Sequence, residues 1–291
     1  MSAFLSRRRF LALTALSLPG LVRATGNHVL DLPGDLARLE RANGGRLGVA
    51  ILNTGTGERS NYRVDERFPM CSTFKFLLAS AVLRRVDRRE ETAGRSVPIP
   101  PRPLLSNSPL TEPHAGGTMT VGALCHAVIT QSDNTAANLL LETIGGPPAI
   151  TKFARSIGDE VTRLDRTELS LNEALDGDPR DTTSPGAMLA DLQAVLLGGI
   201  LSADSRHQLT QWMESSVTGL ECLRAGLPAN WRIADKTGSN GSHTRNDIGI
   251  IWPPGHQPII VTAYITQCYG PQSKRESLLA RIGKLVADSY S

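Results

Sequence analysis

The chain has 291 residues, 40% hydrophobic and 20% charged, enough for one large globular domain or two closely packed ones and unlike a disordered or fibrous chain. Its formal charge of +3 comes from the first 24 residues, which carry Arg7, Arg8, Arg9 and Arg23 and no acid; the other 27 basic and 28 acidic residues leave −1. A near-neutral body offers no electrostatic footprint for nucleic acid or for an anionic membrane.

Ser6-Arg7-Arg8-Arg9-Phe10-Leu11 resembles the twin-arginine export consensus. An apolar stretch over 10–22 follows, interrupted by Pro19 and Gly20 and too short to span a bilayer. Val22-Arg23-Ala24 puts small residues at the spacing signal peptidase reads. Residues 1–24 are therefore expected to be a twin-arginine signal peptide, handled by the twin-arginine export machinery and cleaved after Ala24. The mature protein is expected in the bacterial periplasm or outside the cell, as a monomer not attached to membrane.

Beyond the leader, residues 34–43 predict a helix and 46–53 a strand. Thr54-Gly55-Thr56-Gly57 is a turn into a second strand ending near Val64, so a hairpin is expected. Those glycines do not make a nucleotide loop, because Ser60 stands where a third glycine is needed. From Ser72 to about Leu209 the periodicity is helical, most clearly over 72–87, 120–130, 135–144, 148–157 and 184–197. Strand signals return over 231–235, 247–252 and 258–266, and 273–290 reads as an amphipathic helix. The simplest folding of this order joins both chain ends in one antiparallel sheet flanked by terminal helices. The helical block is then an inserted second domain, with a cleft between the two.

Cys71, Cys125, Cys222 and Cys268 lie far apart, and twin-arginine substrates fold in a reducing compartment, so free, mostly buried thiols are expected. The six histidines form no H-x-H or H-x-x-x-H pair, which argues against a zinc site.

Three short motifs carry chemistry. Ser72-Thr73-Phe74-Lys75 opens a helix, putting a hydroxyl and an amine three residues apart on one face, where the amine can take or relay the serine proton. Ser132-Asp133-Asn134 follows a predicted helix, and Lys236-Thr237-Gly238-Ser239 ends a strand-like run. Taken singly, each has an ordinary structural reading: Ser72 as a helix cap, the second motif as a polar stop capping the next helix at Thr135, the third as a strand-to-turn transition eased by glycine. In this order and over these distances they form a set.

That set resembles class A serine β-lactamases, over nearly the whole mature length. Phe68-Pro69-Met70-Cys71-Ser72-Thr73-Phe74-Lys75, the stretch from Ser132 to Leu141 and Ala234-Asp235-Lys236-Thr237-Gly238 carry the resemblance. So does Arg163 to Glu173, which resembles the family's omega loop with its E-x-x-L-N element at Glu168 to Asn172. The resemblance implies an α/β (α+β) fold of the serine β-lactamase/DD-peptidase type, with a five-stranded antiparallel sheet flanked by helices and an inserted all-α domain. It places the discontinuous α/β domain at 28–63 and 214–291, and the all-α domain at 64–213 with the omega loop at about 163–181.

The implied activity is hydrolysis of the β-lactam amide of penicillins and cephalosporins, conferring resistance. By resemblance Ser72 is the nucleophile, activated through Lys75 or through Glu168 and its water, and Ser132 passes a proton to the leaving nitrogen beside Lys236. Backbone amides of Ser72 and Ser239 form the oxyanion hole, a donor there contributing about 3 kcal/mol. Asn134 holds the substrate amide; Thr237, Gly238, Ser239 and Arg245 form the strand side that takes its carboxylate. Glu168 is the general base for deacylation, Asn172 shares its water, and Arg166 with Asp181 pins the loop. No metal or organic cofactor is implied.

The chain departs from the family pattern in places. Leu169 follows Glu168 where proline in a cis peptide is usual, and Asn107 replaces an aromatic gate residue. Ala79 replaces a cysteine that in some members pairs with the counterpart of Cys125, and Asn240 is not the cysteine that bridges to the counterpart of Cys71 in some carbapenem-hydrolysing members. Two rivals are a penicillin-binding DD-peptidase, against which Glu168 and Asn172 speak, and a non-catalytic β-lactam sensor, which should bring a membrane span or signalling domain.

Overall fold

A computed structural model describes Met1 and residues 31–290 of the chain; the predicted signal peptide lies outside the described residues. Helix α1 (Leu32–Asn43) starts where the Asp31 carboxylate accepts from the Gly34 amide at 3.2 Å, and its buried stripe is Leu32, Leu36 and Leu39. It stops at Gly44, whose φ of 70° is in the left-handed region. Strand β1 (Arg46–Asn53) is buried on both faces along its apolar run, the mark of a central strand. β2 (Arg59–Tyr62) returns as the expected hairpin partner, pairing Val49 with Tyr62 and Leu52 with Arg59.

The sheet is completed from the far end of the chain by β7 (Arg232–Ser239), β8 (Arg245–Trp252) and β9 (Ile259–Thr266), in the order β2-β1-β9-β8-β7, every neighbouring pair antiparallel. β1 pairs with β9 over its whole length, from Arg46 opposite Thr266 to Asn53 opposite Ile259. Because side chains alternate along a strand, the sheet divides its residues between two cores. Val49, Ile51, Val261 and Ile265 pack with Leu36 of α1 and with Leu279 and Ile282 of α8 (Gln272–Tyr290). Ala50, Leu52, Ile250 and Ile260 pack into the helical block.

That block is built around α2 (Phe74–Asp87), whose first ten residues are all buried, as befits a helix surrounded on every side. Around it lie α3 (Val121–Thr130), α4 (Asn134–Ile144), α5 (Pro147–Ser156), α6 (Pro185–Leu196) and α7 (Ala203–Glu214). Two small two-stranded pairs complete it, β3 (Phe68–Pro69) with β6 (Thr182–Thr183) and β4 (Ser96–Pro98) with β5 (Thr118–Thr120). The predicted helices appear within a residue or two. Helix α7 has no counterpart among the clearest predicted segments, because its buried stripe is only Ser205, Leu209 and Met213 on an otherwise polar helix. All four cysteines are buried and free. Among the described residues no helix is long and apolar enough to cross a membrane.

Helix α6 carries an acid, Asp191, into the apolar interior, where its carboxyl faces that of Asp159. One oxygen of Asp159 accepts from the amides of Val161 at 2.6 Å and Thr162 at 3.0 Å. Burial first, then the Asp159 charge, pushes the Asp191 carboxyl well above its ordinary 3.8. The neutral form is thus the one the fold accepts. Stability from this pair is complete below pH 3.8 and is lost as pH rises through the raised folded value. Asp191→Asn keeps a donor toward Asp159 but cannot ionise. It is expected to raise stability at pH 8 by about 1 kcal/mol and to flatten the decline between pH 4 and 8. Thermal unfolding across that range checks this, and an unchanged pH slope would acquit Asp191.

Candidate active site

Ser72 sits in a single 3₁₀ turn, Cys71–Thr73, that leads directly into α2. Several independent contacts fix this turn. The Met70 amide donates to the Asp181 carbonyl at 2.9 Å. From β8, the Asn246 amide donates to the carbonyls of Pro69 and Met70 at 2.8 and 3.0 Å. Cys71 itself has φ of 45°, a conformation held by its surroundings.

Strand β7 closes on the turn at Gly238. A side chain there would put its Cβ 2.5 Å from the Met70 carbonyl oxygen and 3.2 Å from the Ser72 amide nitrogen. The glycine is required by close backbone approach. The motif ends the strand as read, β7 running through Ser239, but its glycine serves close approach and not the turn that follows. The strand's extra length carries Lys236, Thr237 and Ser239 alongside Ser72.

The second motif combines both of its readings. Asp133 is the cap of α4, accepting from the Ala136 amide at 2.9 Å, and it also accepts from the amides of Leu110 and Thr111 at 3.0 Å each. That anchor holds Ser132 at φ of 57°, with its side chain between two lysines. Lys236 donates to the Ser132 hydroxyl at 3.1 Å and Lys75 approaches it at 3.4 Å. Lys75 also donates to the Ser132 carbonyl at 2.8 Å and to Asn134 Oδ1 at 2.6 Å. Asn107 supports the same turn, its amide donating to the Ser132 carbonyl at 2.9 Å while its own carbonyl accepts from the Asn134 amide.

Glu168 arrives from the segment 163–181. Its backbone is clamped by Asn138 of α4, which donates to its carbonyl and accepts from its amide, both at 2.9 Å. The expected pair of Arg166 with Asp181 is present at 2.6 Å, and Asp181 also accepts from the amides of Asp165 and Arg166. The Glu168–Leu169 peptide is cis without a proline. So held, the Glu168 carboxylate accepts from Lys75 at 2.8 Å, from the Ser72 hydroxyl at 3.4 Å and from Asn172 Nδ2 at 2.6 Å.

The electrostatics favour mobile protons. Lys75 and Lys236 are fully buried. Burial lowers Lys75 from its ordinary value, with the Glu168 carboxylate opposing the shift. Burial, reinforced by the charges of Lys75 and Arg245, holds Lys236 well below the usual lysine range. An arriving anion would relieve that repulsion, so this corner of the site suits a negatively charged substrate.

A cavity of about 820 Å³ opens above these groups, lined by Ser72, Ser132, Asn134, Asn172, Ser239 and Arg245 among others. Sequence reasoning missed several residues that complete it. Thr218 accepts from the Thr237 hydroxyl at 2.7 Å, and its carbonyl accepts from Arg245 at 2.7 Å. Glu276 of α8 pairs with Arg245 at 3.2 Å. Neither lies in a motif; both reach the site only because α8 and the loop before β7 pack beside the strand edge. Asn138 had a signal of a kind, being an amide in the otherwise apolar run from Ala136 to Leu141, whereas Asn246, between Arg245 and Asp247, had none.

The model of the β-lactamase enzyme family matches residues 32–290. The chain is 48% identical to β-lactamase L2 of Stenotrophomonas maltophilia, covering 97% of this chain and 98% of that protein. It is 45% identical to β-lactamase CTX-M-25 of Escherichia coli over 89% of each. Among solved structures it resembles an ancestral class A β-lactamase (TM-score 0.87, 57% identity, 89% of this chain and 100% of that one). It also resembles a β-lactamase from Xanthomonas campestris (TM-score 0.88, 49% identity, 89% and 97%).

Proposed function

The chain belongs to the class A β-lactamase family, and on that premise we propose that its Ser72 opens the β-lactam ring and that Glu168 drives release of the resulting ester. The enzyme is a serine hydrolase of β-lactams and a resistance factor. The single observation that carries the residue assignment is the convergence of Ser72, Lys75 and Asn172 on the one carboxylate of Glu168.

In this reading Ser72 Oγ attacks the lactam carbonyl while its proton leaves either to Lys75 or to the Glu168 carboxylate that Lys75 holds in place. The new Oγ–C bond makes a tetrahedral oxyanion, which the backbone amides of Ser72 and Ser239 receive. The C–N bond then breaks, and the nitrogen takes the proton of the Ser132 hydroxyl. Lys75, within reach of that hydroxyl beside Lys236, restores its proton and regains one from Glu168 where the carboxyl took the serine proton, so Glu168 enters the second half-reaction as a carboxylate. Burial makes both amines readier donors than an exposed lysine.

The substrate carboxylate lies along Thr237, Gly238, Ser239 and Arg245, with Thr218 and Glu276 orienting the guanidinium, and Asn134 holds the substrate amide. In the second half-reaction a water between Glu168 and Asn172 loses its proton to Glu168 and attacks the ester. Ser72 takes the proton back as the acid leaves. The α/β part (28–63 and 214–291) supplies Lys236 and the carboxylate strand, the all-α part (64–213) the remaining groups. The leader belongs to the same reading: an exported, monomeric enzyme, supported by the arginine run and the cleavage spacing after it.

A chromogenic cephalosporin tests the function directly. Sustained turnover with no stable adduct is expected. A single stoichiometric burst followed by a long-lived acyl-enzyme would instead indicate a DD-peptidase or a sensor.

A further inference from the structure

A second cavity, of about 590 Å³, opens where the segment 163–181 begins, and it shares no lining residue with the Ser72 cleft. Pro148, Thr151, Lys152 and Arg155 contribute one stripe of α5, at i, i+3, i+4 and i+7. Arg67, just ahead of β3, and Arg163 to Asp165 supply the rest. Four cations therefore line one concavity beside a single carboxylate.

Two of the four have their charge partly answered. Arg163 is paired with Asp165 at 2.5 Å. Arg155 donates to the Thr162 carbonyl at 2.9 Å and meets the largely exposed Glu160 at 3.4 Å. The other two do not. Arg67 donates to the Val161 carbonyl at 2.9 Å and the Thr182 hydroxyl at 3.0 Å, neutral acceptors that leave its charge uncompensated. Lys152 has no hydrogen-bond or ion-pair partner among the described residues. Arg67 and Lys152 are exposed, so water screens their mutual repulsion, and an anion entering the concavity would meet four cations on one wall. Guanidinium groups and a flexible amine are the donor set that suits a tetrahedral oxyanion.

We propose that this cavity binds a small multivalent oxyanion of the phosphate type, held by Lys152 together with Arg67, Arg155 and Arg163. The bound anion would join α5 to the start of the Glu168-bearing segment. Those two parts already meet through Thr151, whose hydroxyl accepts from the Leu164 amide at 3.0 Å.

Pyrophosphate titrated into the purified protein, with potassium chloride keeping ionic strength constant, is the probe. It is expected to raise Tm by roughly 3 °C at ten times its Kd. Lys152→Gln should weaken binding several-fold, and Lys152→Glu should remove the shift. Both should leave cephalosporin turnover in anion-free buffer unchanged, because Lys152 touches nothing in the Ser72 site. Lys284→Gln, which removes a surface charge on α8, should bind pyrophosphate as the parent does. No shift in the parent, an equal shift in Lys152→Glu, or an equal loss in Lys284→Gln would each overturn the proposal. Phosphatidylglycerol vesicles separate a lipid phosphate from a free one. No co-sedimentation is expected, and co-sedimentation that Lys152→Glu abolishes would reassign the cations to a membrane surface and overturn the free-anion site.

Discussion

Glu168→Ala is expected to turn the enzyme into a trap that takes up one β-lactam and fails to release it. Ring opening has no departing fragment, so intact-protein mass spectrometry should show a gain equal to the whole penicillin. The steady-state rate should fall by about 10²–10⁴-fold, the range a positioned general base supplies. Acylation should slow much less. Lys75 loses its carboxylate partner but keeps the Ser132 carbonyl and Asn134 as acceptors, so the amine remains beside the serine. Glu168→Gln should behave alike, since the amide can occupy the same place but cannot take a proton from water. A variant that turns over slowly with no accumulating adduct would mean that Glu168 serves acylation alone.

Ser72→Ala is expected to be the more severe change in rate, with turnover reduced by about 10⁵–10⁶-fold, as when a covalent nucleophile is deleted elsewhere. No adduct should form with any β-lactam. Folding should be spared, because the Ser72 hydroxyl makes only the 3.4 Å contact to Glu168 and is not a helix cap. Unchanged thermal stability with retained penicillin binding, seen by calorimetry, would place the defect in the chemical step. Residual hydrolysis near the parent rate would end the assignment of Ser72.

The two variants fail differently, and the difference maps onto what the sequence made legible. Ser72, Lys75, Ser132 and Lys236 lie up to 164 positions apart, yet their motifs could be read because each is short and tied to the start or end of an element. The strand and helix frame was equally readable: apolar runs bounded by turn residues became β1, β8 and β9, and the long apolar segment after Ser72 became the buried α2. What could not be read is geometry set by distant backbone. Gly238 looked like a turn residue and is instead a place where β7 passes over the Met70 carbonyl. Thr218 and Glu276 carry no periodic or motif signal, and only the packing of α8 brings Glu276 to Arg245. Leu169, a departure at the sequence level, leaves Glu168 where Asn138 and Asn172 can hold it.

The pairing of β1 with β9 bears on how the protein comes to exist on the ribosome. β1 is made early with only β2 beside it; its other edge, and the apolar face of Val49 and Ile51, wait for a strand near the far end of the chain. An open strand edge of this kind invites pairing with other chains. Any nascent chain that stops short of β9 lacks sheet closure, even if every motif residue is present. Synthesis therefore runs almost to its last helix before the protein can settle, and a holdase chaperone would have its longest task on β1.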